Sequence, residues 1–544
     1  PKHGHQYLEG RVFIHSAGYA ISRLVASATD SALGQSIRIE QQYQQVPYAD
    51  GARWFPASHN YILQMHMKQN KPPYLLVFTG NSRVDSVRWD IPSSFRFDKA
   101  HTVRLAPNAD MPGDSMLSTL RRDTLSMRET NTYVVLDSLG KKVKADKLLS
   151  AIRHLPEGRL SLAWLDVDLA RLLSYNKYEK TRLGMGLQTN EELLRWMTIG
   201  GWAGYGFGDK EWKYGGFTEW HAGKYRETSL RLSYDKDLTD PGRISLGNTI
   251  DKNYLRRYLM QRVDKTETYS ATVTHKVGYW HLQLSGSQQS ITPAYTYTFQ
   301  TTADSGYTQY RAQDATLKVR FAPGEHSVPF MGSYYPTPGK YPVGYARVTA
   351  GQVLAGNTTI PYLQAIVAAT WQVHINRIGQ ERLMIEAGNS WNNDPLPISR
   401  LFAGNGYRYD ARYASLYAFG GLMTLYPYDY YSGRFVQGIY NHSFDWKLWT
   451  LSHPDFSYSS QPSVALQYGV LWGTLINNGQ HIGVPVIAPK NGYHEGGIFL
   501  NNLLRMRYSS ICYLALNVGC FYPLSAGTKL DKDGRWVIGT AVTF

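Results

Sequence analysis

Residues 364–376 read QAIVAATWQVHIN. Side chains of a strand point alternately to its two faces. One face here is Ala365, Val367, Ala369, Trp371, Val373 and Ile375. The other is Gln364, Ile366, Ala368, Thr370, Gln372, His374 and Asn376. An unbroken apolar face thus lies back to back with a mostly polar one along the whole stretch. Strands of globular proteins typically run to about five or six residues, whereas a strand tilted across a bilayer needs about 9–11. The stretch predicts a membrane-spanning strand.

The alternation recurs through the C-terminal part of the chain. Thr228, Leu230, Leu232 and Tyr234 alternate with Ser229, Arg231, Ser233 and Asp235. Trp280, Leu282 and Leu284 alternate with Tyr279, His281, Gln283 and Ser285. Val464, Leu466, Tyr468, Val470 and Trp472 form a third row, and Cys512, Leu514, Leu516, Val518 and Cys520 a fourth. The last row sets Trp536, Ile538, Thr540, Val542 and Phe544 against Val537, Gly539, Ala541 and Thr543. Many rows end in aromatic residues, as the girdles at the two membrane surfaces require; Tyr426, Tyr428, Tyr430 and Tyr431 read as a dense piece of such a girdle. The aromatic Phe544 at the end of a strand resembles the C-terminal signal of bacterial outer-membrane proteins. A soluble sandwich or propeller would also alternate, with its apolar face inward. Strand length and aromatic ends favour the barrel, and no repeat of a propeller blade is present. At roughly 20–25 residues per strand and connection, the chain from about residue 180 onward makes an even number near 16.

Composition agrees. Apolar residues are 43% and charged residues 18% of the 544 residues, the latter below the usual share of about 25%, which argues against a disordered chain and a charge-rich coiled coil. There are 41 Tyr and 14 Trp against 18 Phe; rings with a polar tip suit a boundary between oil and water. No run approaches the 18 or so apolar residues of a spanning helix. The net charge of +15 suits acidic neighbours such as outer-membrane lipid and lipopolysaccharide phosphate. Basic clusters are short (Arg121-Arg122, Lys141-Lys142, Arg256-Arg257), and without a recognition helix or RNA-binding motif no nucleic-acid partner is expected. Cys512 and Cys520, eight residues apart on one strand, would sit ~27 Å from each other, too far for a disulfide; both read as apolar filler. The opening Pro1, with no Met and no signal peptide, reads as a mature or truncated chain.

Three parts follow. Residues 1–105 read as a periplasmic β-rich domain, with β-prone runs at Tyr7–His15, Ser36–Val46, Tyr61–Met67, Tyr74–Thr79 and Val84–Asp90. Residues 106–160 read as a helical connector. Pro107 and Pro112 mark its linker, helical spacing covers Asp114–Arg122 and Glu129–His154, and Pro156 closes it. Residues 161–544 are the outer-membrane antiparallel β-barrel.

No motif carries an obvious chemistry. Gly204, Gly206 and Gly208 form GYGFG, but no helix follows to hold a phosphate, so the segment reads as a hairpin turn. Asp166 and Asp168 share a face without a matching cleft. His3 and His5 read as a tail. His275, His281 and His374, with Arg231, Arg382 and Glu386, occupy positions expected to face a lumen, where charges pair across the interior. The Asn357–Thr359 glycosylation match carries no weight in a bacterial outer membrane. No catalytic, cofactor-binding or metal-binding residue is assigned, and neither enzyme activity nor a cofactor is expected.

The segment Ser174–Gly216, SYNKYEKTRLGMGLQTNEELLRWMTIGGWAGYGFGDKEWKYGG, carries a resemblance. It resembles a family of Bacteroidota outer-membrane proteins that combine a carboxypeptidase-regulatory-like β-domain, a domain of unknown function and a C-terminal barrel. Trp54-Phe55-Pro56, Leu401–Gly406 and the closing region from Gly492 to Phe544 are similar too; Arg182–Asn190 and Gly200–Gly216 are the specific part. The resemblance implies location and architecture, and no reaction or catalytic residue comes with it. The chain departs from the family pattern in lacking an evident signal peptide and a separate leading module. A second resemblance is to barrel-assembly and protein-translocation barrels, which join a periplasmic N-terminal part to a barrel of about 16 strands. Gly404–Tyr409 is loosely similar to their arginine-bearing loop motif, which folds into the lumen; the residue order differs, and the role it implies falls on Arg408.

The expected function is non-enzymatic: envelope biogenesis, export, or service as a subunit of an outer-membrane complex. Other envelope proteins are expected to bind through the periplasmic domain, which would hold its binding surface beneath the pore at high effective concentration. The alternatives are a channel or substrate-specific porin, and a secreted β-rich glycan-binding protein or enzyme. An open, charge-lined lumen would favour the channel; a lumen blocked by the connector or by the loop at 391–413 would favour assembly or scaffolding.

Overall fold

A computed structural model describes residues 8–89, 127–143 and 157–543, apart from residues 17, 31–34, 49–50, 68–73, 85, 88, 224–225, 247–259, 303–304, 331–332, 338, 409–414, 418, 453–457, 477–479, 508–512 and 526–532. The first five strands are β1 (Glu9–Ile14), β2 (Ile21–Asp30), β3 (Gln35–Tyr48), β4 (Gly51–Met67) and β5 (Tyr74–Arg83), an antiparallel meander in sequence order. Of the run expected at Val84–Asp90, the described residues Val84, Ser86, Val87 and Trp89 are not in a strand. Trp89 instead turns back onto the sheet, where its indole N–H donates to the Pro47 carbonyl at 2.8 Å and its ring meets Tyr48 and Phe55 edge-on. Helix α1 spans Met127–Val143; the expected helix at Asp114–Arg122 and the stretch 144–154 lie outside the described residues.

Most of the rest is one large, almost wholly antiparallel sheet that closes into a barrel, with three small sheets in its connections. Its fifteen long strands are β6 (Lys180–Thr189), β7 (Met197–Gly206), β8 (Trp212–Ala222), β9 (Thr228–Thr239), β10 (Asp264–Val277), β11 (Trp280–Pro293), β12 (Tyr310–Phe321), β13 (Val343–Ala355), β14 (Thr358–Ile375), β15 (Gly379–Asn392), β16 (Arg434–Lys447), β17 (Ser463–Thr474), β18 (Tyr493–Arg507), β19 (Tyr513–Pro523) and β20 (Arg535–Thr543). A sixteenth position is filled by two short pieces. Leu165–Asp168 and Leu173–Asn176 both pair with β6, with a tight turn at Leu169–Arg171 between them. Gly204–Gly208 ends β7 and enters the hairpin to β8. Bare backbone is required there: a Cβ on Gly208 would fall 2.7 Å from the Glu179 carbonyl carbon.

The orientation of the faces decides what kind of sheet this is. On β14 the apolar row points out: Leu363, Val367, Trp371 and Ile375 are exposed, Val367 by 57%. Its opposite row points in: Gln364 is 4% exposed, and Ile366 and Ala368 are buried. Leu230, Leu232, Val273, Leu284, Leu317, Val348, Ile385, Leu466, Ile498 and Leu514 extend the outward apolar belt. Gln437, Asn441, Gln467, Glu495 and Thr349 are among the buried polar residues. A sandwich would bury the first group and expose the second. The belt is bounded by rings, with Trp280 against Phe321 near one rim and Tyr214, Tyr234 and Tyr269 in a row near the other. The eight residue steps from Tyr269 to Val277 cover ~26 Å of strand, or ~20 Å of height at a tilt of about 40°, close to the height of an outer-membrane apolar band. Among the described residues no helix is long and apolar enough to cross a membrane.

One girdle assignment fails. Tyr428 and Tyr431 are 7% and 0% exposed and pack inside the barrel. They belong to a connection between strands, where alternation says nothing about which way a ring points.

Inward and outward substitutions should differ sharply. Val367→Arg places a charge on the apolar belt and should cost roughly 2–4 kcal/mol of barrel stability if it lies near mid-bilayer. Thr272→Lys, on the opposite face of its strand, should cost under ~1 kcal/mol. Folding into vesicles, followed by heat-modifiable gel migration, measures both.

Candidate functional site

The connection 393–433 between β15 and β16 dominates the barrel interior. Leu396, Ile398, Leu401 and Ala403 pack with inward-facing Ile291, Tyr310, Ala312, Val353, Ile360 and Tyr362 of β11 to β14. Further along, Phe402, Leu422 and Leu425 pack with Ile366, Phe435, Leu471 and Tyr493. Tyr407, Met423 and Tyr417 reach Ala465, Phe499, Phe521 and Val537 of β17 to β20. The segment therefore touches inward faces of most of the C-terminal strands.

Polar anchors fix its position. Near its start, a short turn at Ile398–Arg400 carries Arg400, whose guanidinium donates to Asp314 Oδ2 at 2.9 Å and to Gln289 Oε1 at 2.6 Å. The Tyr362 hydroxyl donates to the other oxygen of Asp314, and Gln364 donates to the Arg400 carbonyl at 2.6 Å. The Tyr310 hydroxyl donates to Ser399. A buried arginine is tolerable when its donors meet a carboxylate and an amide in this way.

The deepest anchor is Glu495 on β18, with 0% exposure. It accepts from the Met423 N–H at 2.8 Å, the Thr424 N–H at 2.9 Å and the Thr424 hydroxyl at 2.7 Å. A wall carboxylate thus binds two consecutive amides of the loop. Only proline removes a backbone N–H, so the contact reads the loop's conformation more than its side chains. Gln437 and Asn405 both donate to the Gly420 carbonyl, and the Tyr417 hydroxyl donates to Gln467 at 2.8 Å. Ser415–Leu416 runs parallel to Val537–Ile538 of β20, and the Tyr417 N–H donates to the Ile538 carbonyl. The same loop therefore fills the interior and pairs with the barrel's last strand.

Neighbouring loops brace it. The Tyr297 hydroxyl accepts from the Ile398 N–H at 3.2 Å and lies 2.9 Å from His481 Nδ1. Burial pushes His481 down to about 4, so the ring is neutral near pH 7 and Nδ1 can accept the tyrosine proton. The Tyr428 hydroxyl donates to Asp240 at 2.7 Å, and the Tyr431 N–H to the Ile487 carbonyl.

Beside this plug lies a cavity of about 580 Å³, walled largely by polar residues of β9 to β13. At its edge the first strands are tied by a buried charge network: Arg182 bonds Glu179 at 2.8 Å and Asp237 at 2.7 Å, and Lys213 bonds Asp209 and Glu179. Arg171 reaches the same Asp237 and stacks on Trp202.

The residues singled out in the sequence are scattered. Arg231 pairs with Glu219, and His374 lies 3.5 Å from Asp445. His275 does not face the lumen as expected: it shares the outward row of β10 with Tyr269, Val273 and Val277, and meets Thr228. His281 is half-buried, and Glu386 is 4% exposed. Asp166 is buried against Ser161 and Asn190, while Asp168 caps the turn at Leu169. Arg408 does sit in the luminal segment, but its head lies over the Tyr426 ring at 4.4 Å; the buried ion pair to the wall belongs to Arg400. Glu495, Asp314 and Arg400 were not singled out. A signal existed: Ile366, Phe435, Phe499 and Phe521 are large apolar residues at positions that should be polar and lumen-facing. Such misplaced residues mark a wall that something covers. Among the described residues no group of three or more His, Cys, Asp or Glu could hold a metal.

Glu495→Ala leaves two buried amides unpaired, at roughly 1–3 kcal/mol each. It should raise proteolysis of the 393–433 segment well above wild type while the strands stay protected. The His481 contact has a definite sign. Its folded value lies below the ordinary 6.5, so its contribution is complete above pH 6.5 and is lost as pH falls toward 4. Hydrogen exchange of Ile398 measured from pH 7 to 4.5 should quicken, beyond its intrinsic pH dependence, in wild type and stay level in His481→Gln.

No family model matches the chain, and no curated protein does. Among solved structures it is similar to CdiB from Acinetobacter baumannii (13% identity, 68% of this chain, 58% of that one, TM-score 0.34). It is also similar to CdiB from Escherichia coli (11%, 64%, 57%, 0.33). A third similar structure is BamA from Haemophilus ducreyi lacking POTRA domains 1–3 (12%, 68%, 69%, 0.35). The chain spans less than two thirds of the length of either CdiB structure. Scores this low carry no argument about what this chain does.

Proposed function

We propose that this chain is a bacterial outer-membrane barrel, held closed by its own loop, that works without catalysis in the assembly or export of envelope proteins. The observation that carries this reading is the luminal segment 393–433, pinned to the wall through Arg400 and Glu495. A porin keeps its lumen wet along its length; here aromatic and aliphatic side chains of the loop pack on half of the wall. Loop asymmetry supports an orientation. The connections 240–263, 294–309, 393–433 and 475–492, with the short turn 356–357, share one rim, while the other carries the turns 278–279 and 376–378 and the longer connections 322–342 and 448–462, so that the longest connection and most of the long ones fall on the first. Outer-membrane barrels place short turns in the periplasm. The five-stranded sheet of residues 9–83 would then be the part that meets periplasmic partners. Outer-membrane phospholipid and lipopolysaccharide would surround the apolar belt.

The purified full chain in liposomes should give no swelling in isosmotic arabinose, and a variant lacking residues 396–431 should give rapid swelling. Strong flux through the wild-type chain would replace this reading with a channel.

A further inference from the structure

We propose that the five-stranded sheet of residues 9–83 pairs face to face with the same sheet of a second copy of this chain. The register of β1 to β5 sorts its side chains by polarity. One face carries Arg11, Arg23, Arg38, Glu40, Asn60 and Arg83, with Arg23 and Glu40 ion-paired. The other carries Val12, Leu24, Ile37, Ile39, Leu63 and Phe78, and from the row of Val12 to the row of Ile37 it holds no Lys, Arg, Asp or Glu. An antiparallel sheet with one polar and one apolar face is half of a layered core, and its apolar face has to be buried against another layer. Among the described residues no such layer is present. Val12 is 52% exposed and Phe78 48%, and of the described residues of the sheet only Ala26 is buried.

Three properties of this face suit a copy of itself as the second layer. The first is charge. A two-fold axis sets each residue near it against its own counterpart, so a charge there would meet its like. On β3 the apolar face brings Ile37 and Ile39 to such an axis, whereas the polar face would bring Arg38 against Arg38. The second is shape. The β1–β2 side is low, with Gly10, Ala26 and Ala28, and the β4–β5 side is high, with Tyr61, Leu63 and Phe78. The Tyr61 ring lies across Gly80, where a Cβ would fall 2.2 Å from it. A two-fold axis along β3 sets Tyr61 and Leu63 of one copy over Ala26 and Ala28 of the other, large on small, in the aligned packing of a sandwich. The third is area. Five strands ~4.8 Å apart, over the six residue steps from His59 to Met65, present a face of roughly 24 by 20 Å. Two such faces together bury on the order of 1,000 Å², the level a specific interface needs. The pairing does not rest on the export reading, since a channel could pair through the same face.

The test uses the full folded chain in amphipol, so that no free detergent coats the sheet, with its mass followed by light scattering over a dilution series. Wild type should be a dimer. Gln41 lies on β3 in the row of Val12 and Leu24, so Gln41→Lys sets two like charges opposite each other in the dimer only. It should weaken the dimer roughly 10-fold or more, and Gln41→Glu should do the same. An equimolar mixture of the two variants should regain the dimer, one Lys facing one Glu, which also shows that each variant's sheet is folded. Arg38→Glu, on the opposite face of the same strand, should leave the dimer intact. With Cys512→Ser and Cys520→Ser in the background, Ile39→Cys should be shielded from maleimide in the dimer and become reactive when Gln41→Lys is added. A monomeric wild-type chain, a dimer indifferent to both Gln41 variants, or a mixture that stays monomeric would overturn the proposal. So would shielding of Ile39→Cys in a monomer, which would assign the face to another segment of the same chain.

Discussion

A sheet that turns its apolar side chains outward must turn its polar ones inward, and polar side chains do not pack into a core by themselves. Everything else about this barrel follows from that constraint. Where the inward residues are polar, as along β11 with Gln283, Ser285, Ser287 and Gln289, they line a cavity. Where they are large and apolar, as on β14 and β16 to β19, the chain must cover them with another part of itself. The 393–433 segment does so.

Covering the wall creates a second problem, because a loop brings backbone N–H and C=O groups into a buried space. The structure meets it with a few strong acceptors and donors placed on the wall. Glu495 takes two loop amides, Gln437 serves the Gly420 carbonyl, and Gln364 serves the Arg400 carbonyl. Each anchor belongs to a different strand. The loop is therefore a cross-brace as well as a plug, and removing it would loosen the very strands whose inward apolar residues it covers. The pairing of Ser415–Leu416 with β20 extends the brace to the chain's final strand.

The two halves of the interior differ in packing rather than in charge. On the loop side Glu495 holds two amides of the segment, and on the cavity side Arg182 holds Glu179 and Asp237 while Arg400 holds Asp314. What separates the halves is the size and polarity of the inward side chains, which the loop covers on one side and leaves uncovered on the other.

The barrel itself was legible in the sequence. Period-two alternation over long strands is a local property, and Leu363 to Ile375 shows both its length and the outward direction of its apolar face once the bilayer is assumed. The turn at Gly204–Gly208 was legible for the same reason, since bare backbone leaves a mark in composition. The site was not. Glu495 looks like any other polar residue on an inward face, and Tyr428 and Tyr431 look like girdle residues, because a side chain's environment in a connection depends on where the connection goes. Only closure of the barrel brings residues 423 and 495, or 314 and 400, within hydrogen-bond reach, and no local pattern encodes a contact across so much intervening chain.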